Sequence, residues 1–304
     1  MVSLITILLA FNPVRRIVPL RFSTHFVTDK KDSSLRIMSW NVEHFDILEH
    51  KTHPEKKQQM IELIKNYSPD VACFQEMVGS DSFSDAINYM PVMMQQMSFN
   101  YSHYSYNRKI DFDDKHHFGI VIFSKYPIIK KQMVSFYPYD YNSIFQYADI
   151  VKGNDTFRVF NIHLQSLKFS ANNLKFIDNP ELKNKEDIES SKSIIYKLKI
   201  GFLKRKVQAE RIHEEIGKSP YPVIVCGDFN DVPNSYACQT IGANLKNAFV
   251  EKGSGIGRTF SGISPTLRID NIFTDKKIKT LQFTKINRRL SDHFPIIADI
   301  ELKK

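Results

Sequence analysis

Short apolar runs that stop abruptly at polar residues recur along this chain, and they mark out most of its elements. Leu35 to Trp40 alternates, reads as a strand, and halts at Asn41-Val42-Glu43-His44. Val71-Ala72-Cys73-Phe74, entered through the Ser68-Pro69-Asp70 turn, ends at Gln75-Glu76. Gly119 to Phe123 gives way to Ser124, and Phe157 to Phe160 runs into Asn161-Ile162-His163-Leu164. Val223-Ile224-Val225-Cys226 breaks into Gly227-Asp228-Phe229-Asn230-Asp231, and Ile269 to Phe273 carries Asp270. Continuous β-branched runs suit strands covered on both faces, and Pro222 and Pro233 bound the run before Gly227. A last polar cluster, Ser291-Asp292-His293, stands just ahead of the apolar stretch from Phe294 to Ile300.

Helical spacing is confined to two places. Pro54 to Asn66 carries Met60, Leu63 and Ile64 on one face with proline in the first turn, which predicts a helix. The segment between His163 and Pro220 is neither strand-like nor of low complexity. Its later part sets Ile194, Ile195, Leu198, Phe202 and Val207 among lysines, as an amphipathic basic helix would, although Gly201 costs such a helix about 1 kcal/mol. Two uses stand for it: a solvated face over the body of the protein, or a contact with phosphates or lipid head groups. The chain thus divides into an apolar N-terminal segment and linker over residues 1–32 and one domain over 33–304, with a basic insert at about 168–218.

The first eleven residues are almost wholly apolar, with Arg15, Arg16 and Arg21 behind them. Such a run is too short to span a bilayer, which takes about 20 residues. It lacks the leading basic residue and small-residue cleavage site of a secretory signal. The expectation is membrane contact through residues 1–16, either as the tail of a membrane helix or as an interfacial anchor, with a packing segment as the plain alternative. If this stretch is the tail of a membrane helix, the three arginines place the remainder of the chain on the cytoplasmic face; otherwise a cytoplasmic location is the alternative.

Charge narrows the partners. With 42 Lys and Arg against 33 Asp and Glu the formal balance is 42 − 33 = +9, which favours an anionic partner. From Lys192 to Arg211, seven basic residues face Glu210 alone. The three cysteines, Cys73, Cys226 and Cys238, cannot all pair, and the first two lie inside apolar runs where a buried thiol is expected. Neither a disulfide framework nor a zinc site is indicated.

The residues at the strand ends carry the chemistry. Asn41, Glu43, Glu76, His163, Asp228, Asn230, Asp270, Asp292 and His293 form a set of carboxylate and carboxamide oxygens with two imidazoles. Hard oxygen donors with few imidazoles suit Mg²⁺, with Mn²⁺ as the alternative, and Mg²⁺ grips one or two carboxylates together with a substrate phosphate. The reaction that fits is attack of water on a phosphorus ester. Any one of these residues alone has a plainer reading, since Gly, Asn and Asp also end strands for their turn habits and Glu43 and His44 serve equally as loop polars. His116 and His117 read as solvated side chains of a charged loop. Tyr101, Tyr104 and Tyr106, followed by Asn107 and Arg108, would stack on bases or line a head-group pocket, or simply pack at a rim. Gly257-Arg258-Thr259-Phe260 is a candidate substrate loop.

Taken in series, Trp40-Asn41-Val42-Glu43, Pro69 to Glu76, Asn161-Ile162-His163-Leu164, Gly227-Asp228-Phe229-Asn230-Asp231, Arg268-Ile269-Asp270-Asn271-Ile272 and Ser291-Asp292-His293-Phe294-Pro295 resemble the motifs of the endonuclease/exonuclease/phosphatase superfamily. That group includes DNase I, exonuclease III and the neutral sphingomyelinases. The motifs occur in the family's order over roughly residues 35 to 300. The apolar N-terminus and basic insert further resemble bacterial membrane-linked members. The resemblance implies an α/β fold, a four-layer sandwich of the DNase I type, with two mostly antiparallel sheets flanked by helices. Carried over position by position, it implies Glu76 as the main metal carboxylate, with Asn41 beside it, Glu43 where related nucleases often carry an acid, and Asp292 assisting. It implies Asp228 as the residue that orients or deprotonates water, and Asn230 holding that water or the phosphate. His293 would sit against the phosphate, polarised by Asp270, and His163 would be the second imidazole. The expected activity is a Mg²⁺-dependent phosphodiester hydrolase of the nuclease type acting on nucleic acid. A lipid head-group phosphodiesterase, a small-molecule phosphatase and a non-catalytic phosphate-binding scaffold are the alternatives, and the sequence assigns no oligomeric state.

Overall fold

A computed structural model of the chain describes residues 2–19, 21, 25–49, 52–82, 87–107, 115–136, 144–180, 185–264 and 266–303. In chain order its elements are α1 (Val2–Ile17), β1 (Leu35–Asn41), a 3-10 segment (Glu43–Glu49), α2 (Pro54–Tyr67), β2 (Val71–Ser80), α3 (Met90–Met97), β3 (Tyr101–Tyr106), β4 (His116–Ser124), β5 (Ile128–Ser135), β6 (Ile144–Lys152) and β7 (Asp155–His163). Next come α4 (Ala171–Asp178), α5 (Lys185–Gly217), β8 (Val223–Asp228), α6 (Tyr236–Ile241), β9 (Leu245–Asn247), α7 (Ala248–Lys252), β10 (Asp270–Asp275), β11 (Ile278–Lys285) and β12 (Ile296–Leu302).

The strands form two six-stranded sheets, ordered β11-β12-β1-β2-β4-β3 and β5-β6-β7-β8-β10-β9. Each holds one parallel pair, β1 with β2 and β7 with β8, among antiparallel neighbours. A parallel pair needs a long crossover, and helices supply it: α2 in the first sheet, α4 and α5 in the second. Because side chains alternate along a strand, each central strand feeds two cores. Ile37, Val71 and Cys73 meet Val159, Ile224 and Cys226 between the sheets. Met38, Trp40 and Phe74 turn outward onto Met60, Ile61 and Ile64 of α2, while Phe160, Ile162 and Val225 pack under Ala209 and Ile212 of α5 and Ile241 of α6. The four-layer sandwich expected from the motifs is the fold observed. All three cysteines are free and buried.

Three readings of the sequence change. The strand expected to stop at Gln75-Glu76 runs on to Ser80, and its ladder with β4 shifts register between Phe74 and Met77. Glu76 therefore sits in a β-bulge, with φ of 54°. His116 and His117 belong to β4 rather than a loop, and His117 is buried against Asp81 at 2.9 Å and stacked on Tyr106. The basic helix forms as α5, but with its faces exchanged. Arg205, Gln208, Ala209 and Ile212 are buried, while Ile195, Phe202 and Val207 are 66%, 45% and 61% exposed. Hydrogen bonds explain the exchange. Arg205 donates to Asp231 at 2.9 Å and to the Gln165 carbonyl at 3.0 Å, and Gln208 accepts from the Gln165 amide at 2.9 Å. Gly201 belongs here as well, since a Cβ on it would fall 2.5 Å from the Leu167 side chain.

At the far end of the first sheet Arg36 lies buried on β1 and grips Asp299 of β12 with two bonds of 2.7 and 2.8 Å, while its remaining nitrogen, Nη1, donates to the carbonyls of both Thr28 and Tyr67. This pair ties the segment before β1 to the last strand. Asp299→Ala leaves a buried guanidinium without its counter-charge and is expected to cost about 3–5 kcal/mol, read by urea unfolding. A loss under about 1 kcal/mol would show that the pair is solvated rather than structural.

Candidate active site

Strand register assembles the site before any side chain is considered. In the second sheet His163 on β7 pairs with Asp228 on β8, which pairs with Asp270 on β10, so the three stand in one row across the strand ends. In the first sheet Asn41 ends β1 beside Gln75, one residue from the bulged Glu76. The turn before β12 brings His293 over this row. Its carbonyl accepts from the Trp40 indole at 3.0 Å, the Ser291 hydroxyl donates to the Asn41 carbonyl at 2.8 Å, and Phe260 pairs with it as an isolated bridge. Gly227, with φ of 146°, is required just before Asp228, because a Cβ there would stand 2.0 Å from the Ile162 carbonyl.

Asp228 is the centre. Its Oδ2 lies 3.6 Å from Nε2 of His163 and 3.6 Å from Nε2 of His293, and it accepts from the Asn41 amide at 3.2 Å. The Asn230 side chain also donates to Oδ2 at 3.2 Å, and the Asn230 backbone amide donates to Oδ1 at 2.7 Å. Asn41 donates to Glu76 at 3.1 Å as well, so one amide links the two sheets across the rim. Nδ1 of His293 stands 2.9 Å from Asp270. Glu43 accepts the Asp292 backbone amide at 2.9 Å. All nine residues singled out from the sequence thus meet at one rim. His44, which the sequence suggests as a loop polar, joins them with Nε2 at 3.4 Å from Glu76 and its ring edge-on to Phe118. Nothing but its place three residues after Asn41 pointed to it.

Electrostatics separates the two central imidazoles. Burial drives His163 down to about 4, with Asp228 offsetting this only in part, so it is neutral at neutral pH. Burial opposes charge on His293 too, but Asp270 and Asp228 outweigh it and hold that imidazole well above its usual value. A neutral imidazole and a charged one flanking the same carboxylate form a pair able to accept and donate protons. The acids are perturbed in the other direction. Burial, reinforced by Asp292, pushes Glu76 up to about 7 against the pull of Asn41. Burial and then Asp292 raise Glu43, and burial raises Asp228. These raised values follow chiefly from the loss of water around the carboxylates, with Asp292 adding to it at Glu76 and Glu43. The oxygens of Glu76, Glu43, Asp292 and Asn41 are the hard donors that a divalent cation takes. Asp228, Asp270 and His293 also lie close enough to share an ion, with ligand atoms within 4.8 Å of one another. The 2.9 Å contact of His293 with Asp270 reads more simply as a hydrogen bond.

The neighbouring candidates divide. Phe260 packs its ring 4.9 Å from that of His293 and Thr259 accepts the Ile269 and Asp270 amides, so residues 257–260 brace the site from one side. Tyr104 and Tyr106 pack together and onto Met77 and His117 at the rim. Arg108 lies outside the described residues.

A sandwich of two mixed sheets with paired imidazoles and clustered acids at one rim defines the class of phosphoesterase hydrolases built on the DNase I-like fold. The sequence from 38 to 293 matches the Endonuclease/Exonuclease/phosphatase family model, and the chain belongs to that family, whose members typically depend on a divalent metal. Among solved structures it is similar to the human Nocturnin catalytic domain with bound sulfate anion, at 16% identity and a TM-score of 0.63, covering 94% of this chain and 99% of that one. It is also similar to D. rerio TDP2 complexed with single-strand DNA product, at 17% identity and a TM-score of 0.58, over 89% of this chain and 100% of that one. An endonuclease/exonuclease/phosphatase family protein from Leptotrichia buccalis C-1013-b shows 19% identity and a TM-score of 0.59, over 88% and 100%. No curated protein matches the sequence.

The raised imidazole has a measurable consequence. His293 holds its proton more tightly folded than unfolded, so its contribution to stability is complete below the unfolded value of about 6.5 and disappears as pH rises through the folded value. Above the Glu76 value of about 7, the wild-type chain in metal-free buffer should go on losing stability with a slope approaching 1.4 kcal/mol per pH unit for the one proton of His293. Asp270→Asn should flatten that slope, as followed by denaturant titration at a series of pH values; parallel slopes would show that another group titrates.

Proposed function

We propose that this chain is a Mg²⁺-dependent phosphodiesterase of the nuclease type, in which water attacks phosphorus at the rim where the two sheets meet. The observation that carries the reading is Asp228, held between one neutral and one protonated imidazole beside a set of acids that call for a cation. Glu76 and Asn41 would hold the ion, with Glu43 and Asp292 close behind, and Mn²⁺ would fit the same oxygens. When bound, a divalent ion neutralises charge building on the phosphoryl oxygens. Asp228 orients the attacking water and draws its proton, held in place by Asn230 and Asn41. His293, kept charged by Asp270, places a positive N–H against a non-bridging or leaving oxygen. His163, uncharged, would accept a proton on the opposite side of the same carboxylate.

The charge of +9 and the lysines on α5 favour a polyanionic substrate, and one similar structure holds single-strand DNA product. A lipid head-group phosphodiesterase is the second reading, favoured by the apolar side chains that α5 exposes near the rim. A small-molecule phosphatase ranks below both. A non-catalytic scaffold is disfavoured, because binding alone would not require two imidazoles with opposed proton affinities.

The test is purified protein with plasmid DNA, RNA and sphingomyelin vesicles, with Mg²⁺ or with EDTA. Cleavage of nucleic acid should need the metal, and Glu76→Gln and His293→Ala should each lower turnover by roughly 10²–10⁴-fold with folding intact. Hydrolysis of a phosphomonoester with no turnover of any diester would overturn the assignment.

A further inference from the structure

We propose that α5, together with α6 and the exposed end of α1, forms a docking face for an anionic phospholipid bilayer, seated beside the rim that carries the candidate site. The apolar side of α5 points outward. Ile188, Ile195 and Phe202 stand seven residues apart, so they form one row along the helix, and they are 44%, 66% and 45% exposed. Lys192, Lys199 and Lys206 form a second exposed row, each four residues beyond a member of the first. Both rows face away from the protein, because the opposite side carries the buried Arg205, Gln208 and Ile212. No acidic residue occurs from Lys192 to Lys206.

The face extends beyond one helix. The Phe202 ring stands 6.4 Å from that of Tyr236 on α6, which is 41% exposed. The loop before α6 bonds α1 through Asn234 to the Pro13 carbonyl at 3.0 Å, and Gln239 of α6 accepts from Arg16. From Phe11 to Ile17 every side chain of α1 is exposed, and Phe11, Val14 and Ile17 keep about half of their surface open, at 53%, 51% and 43%. No helix among the described residues is long and apolar enough to cross a membrane.

Position comes from length. At about 1.5 Å per residue the 33 residues of α5 span about 50 Å, against about 20 Å for the six of β8. Arg205 is already level with the loops just past the strand tips, where it bonds Gln165 and Asp231. The half of α5 before Arg205 therefore overhangs the end at which the site lies. Arg268, two residues before Asp270, donates to the carbonyls of Arg16 and Ile17 and pins α1 at the same end.

Other occupants fit less well. A nucleic acid would use the lysine row but gain nothing from exposed isoleucines beside it. A second copy meeting this face about a two-fold axis would bring lysine row against lysine row if the helices run antiparallel, and lysine row against apolar row if they run parallel. A bilayer with anionic head groups meets both, taking the apolar row into the acyl boundary and the lysines among phosphates.

The experiment is co-sedimentation of the full chain with vesicles of phosphatidylcholine alone or mixed with phosphatidylserine, at low and high salt. Binding should need the anionic lipid and weaken with salt. The Ile195→Glu, Phe202→Glu double variant should bind at least about tenfold more weakly, while thermal melting and metal-dependent hydrolysis of bis(p-nitrophenyl) phosphate stay as in the wild type. If that variant fails to fold, Lys192→Gln with Lys199→Gln and Lys206→Gln carries the test by removing the electrostatic part. No binding to anionic vesicles at low salt overturns the proposal, as does equal binding of wild type and both variants. A wild-type dimer dissociated by the double variant, without vesicle binding, would assign the face to a second copy instead. Vesicle binding is read without turnover, so failure of the proposed chemistry and failure of this face are told apart.

Discussion

Asp228 is taken almost wholly out of water, and the rim of the sandwich is arranged to make that tolerable. A buried carboxylate is costly unless hydrogen bonds and opposite charge meet it. Here the Asn41 and Asn230 amides bond it directly and two imidazoles approach within 3.6 Å. Each partner needs a support of its own. Asp270 holds His293, Trp40 and Ser291 fix the turn that carries it, and Asn230 reaches the Leu164 carbonyl at 2.9 Å. Removing any one of these leaves a charge or an amide stranded, which is why the site and the stability of this end of the fold are one problem.

Backbone strain gathers at the same place. Glu43, His44, Glu76 and Asn230 all hold positive φ, at 45°, 56°, 54° and 48°, a region that L-residues other than glycine adopt at a cost of order 1–3 kcal/mol. A regular strand would send the Glu76 side chain to a face fixed by its parity. The bulge instead delivers it to the rim beside Asn41. The packed strands on either side hold these residues in place, so the cost falls where chemistry is expected.

The basic helix shows how polar anchoring overrides amphipathic pattern. Its isoleucines and Phe202 would ordinarily settle against a sheet, yet the surface under α5 is already filled by Phe160, Ile162 and Val225 with Ala209 and Ile212. The Arg205 and Gln208 bonds to the strand-end loops then set its rotation, and the apolar rows are left outward. Helix rotation is a tertiary choice, made by a few buried polar contacts rather than by counting apolar residues.

Much of this was legible in the chain. A central strand buried on both faces must be apolar throughout and must end where the chain meets water, so Asn41, His163 and Asp228 announced themselves as the polar residues terminating such runs, and Asp270 as the one at the start of such a run. Strands without that constraint were silent: β5 is mostly exposed, and β6 is interrupted by the buried Gln146 and Asp149. The bulge at Glu76, the burial of His117, the arrival of His44 and the outward face of α5 depend on register, neighbouring charge and helix rotation, which act between segments distant in sequence. Residue order was enough to say which side chains end the core strands, and hence what the site is made of. That two imidazoles share one carboxylate with opposed proton affinities is a property of the folded arrangement alone, because desolvation and charge pairing exist only once the strands have met.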